Sequence, residues 1–188
     1  MKPGAVVIPP VHMPSRDCSS PLREARHTWH NKSFSSPGPY PDHMDCEISA
    51  ERDRLRIDDI REMLAGTYWS PGITKNEIEK GICNSALVVG AYDKTGKQVG
   101  FCRVISDKTR FAYLLDVIVA PGVRHLGIGQ AMVRFAMAHP DLKDVYQWLL
   151  KTSDAHGVYG KCGFVPLAET EKWMGIVNLR PDRKEFGK

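Results

Sequence analysis

The chain has 188 residues, a formal net charge of +4, 42% hydrophobic residues and 26% charged residues. That length supports one domain with room for a tail, and the balance excludes a fibrous or wholly disordered chain. No run of 18 apolar residues occurs, which excludes an ordinary transmembrane helix and leaves no membrane partner to expect.

Ala5-Val6-Val7-Ile8 stops at Pro9-Pro10, too short for the apolar core of a secretion signal. The expectation is a cytoplasmic protein. The five cysteines, Cys18, Cys46, Cys83, Cys102 and Cys162, are odd in number and form no CxxC pair, so free thiols in a reducing compartment are expected. His125 and His156 are isolated and no HExxH or EF-hand spacing appears, so no metal is expected. The mild basicity permits anionic ligands. No basic stripe interleaves with aromatics, and nucleic acid is not an expected partner.

Residues 1–43 hold eight of the thirteen prolines and four of the seven histidines, with interspersed serines and no apolar period. Such a segment cannot bury enough surface to offset its ordering entropy, so a disordered extension is expected, with a recruitment arm as its functional alternative. The domain is expected over 44–180, followed by a polar tail at 181–188. In chain order, 47–49 reads as a short strand. Ile57, Ile60 and Leu64 recur at helical spacing and predict a helix over about 54–66. Residues 67–72 form a loop carrying Tyr68 and Trp69. Thr74 and Glu77 make a capping box that opens a second helix with Ile78 and Ile82.

A β region follows. Strands are predicted at 86–92, 99–105 and 111–119, joined by the turn signals Asp93-Lys94-Thr95-Gly96-Lys97 and 106–110. Ala120-Pro121-Gly122 ends the third, because proline cannot continue a ladder. Ile128, Met132, Val133 and Met137 predict a helix stopped by His139-Pro140, and 145–150 predicts a strand. Asp154 is expected to cap a short helix that ends at Gly163, with closing strands at 164–166 and 174–177. The order βααβββαβαββ means a mixed α/β sheet with helices on both faces.

The stretch with chemical content runs from Asp116 to Ala131. A buried strand ends at proline, Arg124 follows, and Gly127 and Gly129 stand at the mouth of a helix. Unpaired N–H groups at a helix N-terminus hold phosphate, and glycine lets it approach the backbone. These residues alone point to a pyrophosphate-bearing ligand. A P-loop is a poor fit, because Ile128-Gly129 stands where Lys-Ser/Thr is needed. A dinucleotide loop is a poor fit too, because Met132 replaces its third glycine and the next strand ends in Leu149-Leu150-Lys151 without an acidic residue. Coenzyme A is the third reading.

Arg124-His125-Leu126-Gly127-Ile128-Gly129 resembles the acetyl-CoA loop of the GNAT family of N-acetyltransferases in its three fixed positions. Ala155-His156-Gly157-Val158-Tyr159-Gly160-Lys161-Cys162-Gly163-Phe164, about 30 residues on, resembles that family's downstream segment. The resemblance covers about 85–167. Tyr68-Trp69, Asp116, Asp154-Ala155-His156-Gly157 and Trp173-Met174 extend it to about 45–178, within a branch of small bacterial-type members. Two departures stand out. Thr152 replaces an Asn common in the family, and Gly160 replaces the usual Glu.

The resemblance implies the GNAT fold and direct acetyl transfer from acetyl-CoA to a primary amine, in a ternary complex. The acceptor is a small-molecule or protein amine. The cofactor would lie along Arg124, His125, Leu126, Gly127, Ile128, Gly129 and Gln130, with backbone groups of Val117 and Val119 bonding its pantetheine arm. An amine of pKa about 10.4 must lose a proton, and a departing thiol of pKa about 8.5 gains from one. The resemblance makes Tyr159 the acid facing the sulfur; its other reading is packing against the sheet. Asp116, the only charge within strand 111–119, is the candidate base, or else a structural carboxylate bonded to a neighbour. Tyr68 and Trp69 border the expected acceptor site, and His156 is a candidate relay there. A non-catalytic acyl-CoA-binding module stays open as the second reading. The resemblance leaves a homodimer open.

Overall fold

The computed structural model describes residues 46–176. The expected extension at 1–43, the tail at 181–188 and the last residue of the second closing strand lie outside them. The elements in order are β1 (Cys46–Ser49), α1 (Ile57–Ala65), α2 (Lys75–Cys83), β2 (Leu87–Asp93), β3 (Gln98–Ser106), β4 (Phe111–Val119), α3 (Ile128–Met137), β5 (Gln147–Leu149) and α4 (His156–Gly160). They form one five-stranded sheet in the order β1-β2-β3-β4-β5. Neighbours are antiparallel except β4 and β5, which are parallel because α3 crosses between them. This is the expected mixed α/β layering.

Each face of the sheet buries its own core. Leu87, Val89, Cys102, Val104, Ala112 and Leu114 meet Ile128, Met132, Val133, Phe135 and Ala136 of α3. Val88, Phe101 and Ile118 meet Ile60 and Leu64 of α1 and Ile78 of α2 on the other face. Each large side chain so buried contributes about 1.5–3 kcal/mol. The α3 contact is tight at Gly100, where a Cβ would sit 3.0 Å from Met132 Cε. The capping box at the start of α2 is present: Thr74 Oγ1 accepts from Glu77 N, and Glu77 Oε2 accepts from Thr74 N at 2.9 Å. At the other end of α2, the Arg52 guanidinium donates to the carbonyls of Ile82 and Ser85, at 2.5 and 2.7 Å. That supplies acceptors at the helix C-terminus with a cation.

Three expectations change. Residues 52–54 form a 3₁₀ turn and α1 begins only at Ile57. Asp154 does not cap α4: Ala155 is the N-cap, and Thr152 Oγ1 accepts from the backbone N–H of Ala155 at 3.0 Å. No side chain caps the helix, because the Thr152 hydroxyl bonds the N–H of the N-cap residue itself. No strand forms at 164–166 or over 174–176. Phe164 packs against the core on the α3 side, but Val165 is 81% exposed and Met174 97%, and β5 spans only three residues.

Candidate active site

The cleft originates in the register of β4. Phe111, Ala112 and Tyr113 pair with Gln147, Trp148 and Leu149 of β5, and the pairing stops there. The second half of β4 therefore has no β5 partner, and the two strands leave a gap. A bulge in the same strand shapes that gap. Phe101 pairs with Ile118 and Arg103 with Leu115, so Asp116 and Val117 together oppose Cys102. Asp116 takes the bulge position with φ +52°, a left-handed conformation that Asp tolerates better than most residues. The extra residue reverses the alternation. Ala112 and Leu114 face α3, whereas Ile118 faces α1 and α2. Arg103 Nε donates to Asp116 Oδ2 at 2.5 Å, and both side chains are largely covered.

A cavity of about 870 Å³ occupies the gap. Its first wall is the loop after β4 and the start of α3. Gly127 is the N-cap of α3 with φ +84°, and no side chain caps the helix. The N–H groups of its first turn are left for a ligand. His125, at φ +65°, and Gly127 turn the chain back toward β4, and Arg124 Nε donates to Val119 O at 3.0 Å. A Cβ at Gly129 would meet only Val119 Cγ2, at 3.7 Å, so the site is open on that side. Lys161 brings a second cation to the lining, and Cys162 Sγ approaches Gln130 O at 3.8 Å. Cations beside an uncapped helix N-terminus make a cradle for a diphosphate.

The second wall joins segments far apart in sequence. Tyr68 Oη accepts from the backbone N–H of Ser153 at 3.0 Å, bridging 85 residues. Tyr68 and Trp69 stack edge to face with centroids 4.9 Å apart, and Trp69 packs against the core under α1 and α2. Tyr159 packs edge to face on Phe164, and its hydroxyl has no hydrogen-bond partner among the described residues. Burial, with smaller contributions from Cys102, Tyr68, Asp154 and Cys162, pushes the Tyr159 phenol up to about 12. It is protonated throughout the physiological range.

The cavity gathers Val117, Val119, Arg124, His125, Gly127, Ile128, Gly129, Gln130, Tyr68, Trp69 and Tyr159 from the residues singled out in the sequence. Three of those residues are not in its lining. Asp116 is engaged by Arg103, Leu126 is 52% exposed, and His156 is exposed on α4. Sequence reasoning placed Lys161 and Asp154 within the resemblance, and Asp154 as a cap, but named neither as a site residue; both line the cavity. Among the described residues, no group of three or more His, Cys, Asp or Glu is placed to hold a metal, and no helix is long and apolar enough to cross a membrane.

Residues 84–166 match the family model of the acetyltransferase (GNAT) domain. A GNAT-family protein from Xanthomonas campestris pv. campestris is 37% identical; the match covers 71% of this chain and 93% of that one, with a TM-score of 0.66. Glucosamine-6-phosphate N-acetyltransferase from Arabidopsis thaliana is 19% identical over 71% of this chain and 97% of its own, with a TM-score of 0.51. A predicted acetyltransferase from Clostridium acetobutylicum, solved with acetyl-CoA, is 16% identical over 70% of this chain and 94% of its own, with a TM-score of 0.55. The last two likenesses are of fold alone. No curated protein matches the chain. With a GNAT domain match over its centre and a GNAT relative 37% identical across 71% of its length, the chain belongs to the GNAT acetyltransferase family.

Proposed function

We propose that the protein is an acetyl-CoA-dependent N-acetyltransferase that passes the acetyl group directly to a primary amine in a ternary complex. The observation that carries this reading is one cavity holding both an uncapped, glycine-flanked helix N-terminus and the unpartnered phenol of Tyr159.

The α3 N–H groups, Arg124 and Lys161 would bind the diphosphate. Val117 and Val119, on the half of β4 without a β5 partner, would offer backbone groups to the pantetheine arm. Bound acetyl-CoA supplies an activated thioester. The neutral amine nitrogen attacks its carbonyl carbon, the C–N bond forms as the C–S bond breaks, and the amine's surplus proton leaves to water. Tyr159 meets the departing sulfur. A phenol at about 12 lies well above a thiol at about 8.5, so full proton transfer to sulfur is uphill. Tyr159 therefore acts as a hydrogen-bond donor that stabilises the developing thiolate, an effect of about 1.5–3 kcal/mol for a charged acceptor. We assign Asp116 the structural alternative. Its carboxylate, taken by Arg103, holds the bulge that turns Val117–Val119 toward the cavity. The free cysteines Cys46, Cys83, Cys102 and Cys162 suit the reducing cytoplasm, where we place the protein.

The test is turnover of acetyl-CoA with a panel of primary amines, followed by loss of the thioester. Tyr159→Phe is expected to lower kcat about ten- to a hundredfold, with acetyl-CoA affinity unchanged. Acetyl-CoA binding without turnover of any amine would favour a non-catalytic acyl-CoA module instead.

A further inference from the structure

The lining of the cavity is unequal in charge. Arg124 and Lys161 lie in it, and Asp154 is its only carboxylate among the described residues. Asp154 is not otherwise occupied. It makes no ion pair among the described residues and caps no helix. Its nearest polar contact is Thr152 Oγ1 at 3.5 Å, the outer limit of a hydrogen bond. A carboxylate that lines a cavity attracts a cation entering it.

Its surroundings narrow what that cation is. The Tyr68–Ser153 hydrogen bond ties the aromatic loop to the turn that carries Asp154, so carboxylate and aromatic pair belong to one wall. Trp69 is anchored in the core, while Tyr68 is 52% exposed, and both line the cavity. Aromatic faces and a carboxylate both attract an ammonium. Both disfavour an anion: the ring face is negative, and a carboxylate or phosphate beside the amine would lie against Asp154. The lining cations that could offset such an anion are committed to the diphosphate in the proposed function, on which this inference rests.

We propose that Asp154, with the Tyr68–Trp69 pair, selects as acceptor a primary ammonium with no anionic group beside it: an alkylamine-like group, whether a free amine or a lysine side chain. Amino acids acetylated at the α-amine and amino-sugar phosphates fall outside this class. Asp154 here is a specificity residue that touches the acceptor. Deprotonation of the ammonium is left to water, and the acetyl group moves as described above.

The test uses phenethylamine and phenylalanine, which differ only in the carboxylate beside the amine. The wild-type full chain is expected to favour phenethylamine at least tenfold in kcat/KM. Asp154→Asn is expected to bring the two within about threefold, with calorimetric CoA affinity unchanged. Equal use of both by the wild type, or a preference that survives in Asp154→Asn, would overturn the proposal. A peptide with one lysine and a blocked N-terminus, run beside phenethylamine, distinguishes the two sources, and turnover of either supports the class. A thermal-shift arm with the two amines, with and without CoA, separates this proposal from the reading beneath it. Stabilisation by phenethylamine and not phenylalanine, lost in Asp154→Asn, supports the amine site even if CoA fails to bind. No discrimination in that arm counts against the site even if CoA binds.

Discussion

The two walls of the cavity were built from different kinds of sequence. The α3 wall comes largely from one unbroken stretch, Val117 to Gln130, and its chemistry is mostly backbone: glycines, a bare helix N-terminus and one arginine folded onto Val119 O. The aromatic wall joins residues 66–69 to residues 154–159 through a hydrogen bond spanning 85 positions, and its chemistry is in side chains. A local wall can be read from spacing, because a helix start and its glycines are fixed by neighbours in sequence. A wall assembled by the fold cannot, because spacing says nothing about which distant loops meet. It follows that the α3 wall should govern cofactor affinity and the aromatic wall the acceptor and the chemical step.

Asp116 is where that division is put under most strain, since it sits between the walls without lining the cavity. Breaking a well-buried ion pair costs about 3–5 kcal/mol, and the Arg103–Asp116 pair is slightly exposed at 19% and 11% of its side-chain surface. Asp116→Ala is therefore expected to lower unfolding free energy by about 3 kcal/mol in urea titration and to raise the KM for acetyl-CoA as the bulge relaxes. Unchanged stability and KM with a collapsed kcat would instead make Asp116 the base. A smaller effect, on a group remote from both walls, supplies the control. Asp107, in the turn before β4, accepts from the backbone N–H groups of Thr109, Arg110 and Phe111, and these hold its carboxyl down to about 2. Its folded pKa lies below its unfolded value near 3.9, so its contribution is present above pH 4 and is lost as pH falls toward 2. Asp107→Asn should flatten that acid limb in denaturation curves and leave turnover at neutral pH unchanged.

Much of the fold was legible because its signals are local. The α2 capping box, the proline at the end of β4 and the α3 period all appear where residue spacing placed them. The closing strands were not. Val165, Met174 and Ile176 look strand-like by composition, yet β-propensity records how a side chain fits a pleated, half-buried surface, and these three have no such surface. The bulge at Asp116 was illegible for a related reason. A charge in an apolar strand suggests a catalytic base or a structural carboxylate, and spacing alone does not show the cross-strand register that makes Asp116 the extra residue of a bulge, paired with Arg103. In the site, Gly127, Gly129 and Arg124 were found from pattern, whereas Asp154 became visible only once the fold placed its turn against Tyr68 in the cavity wall.

The most direct test of the central claim, that the α3 wall is a cradle for the diphosphate of coenzyme A, is a calorimetric titration of the full chain with CoA, repeated on Arg124→Ala and over a series of salt concentrations. The account predicts binding by the wild type, affinity about tenfold weaker in Arg124→Ala, and affinity that falls as salt rises. No heat of binding at millimolar CoA, or equal affinity in the two proteins, would contradict it.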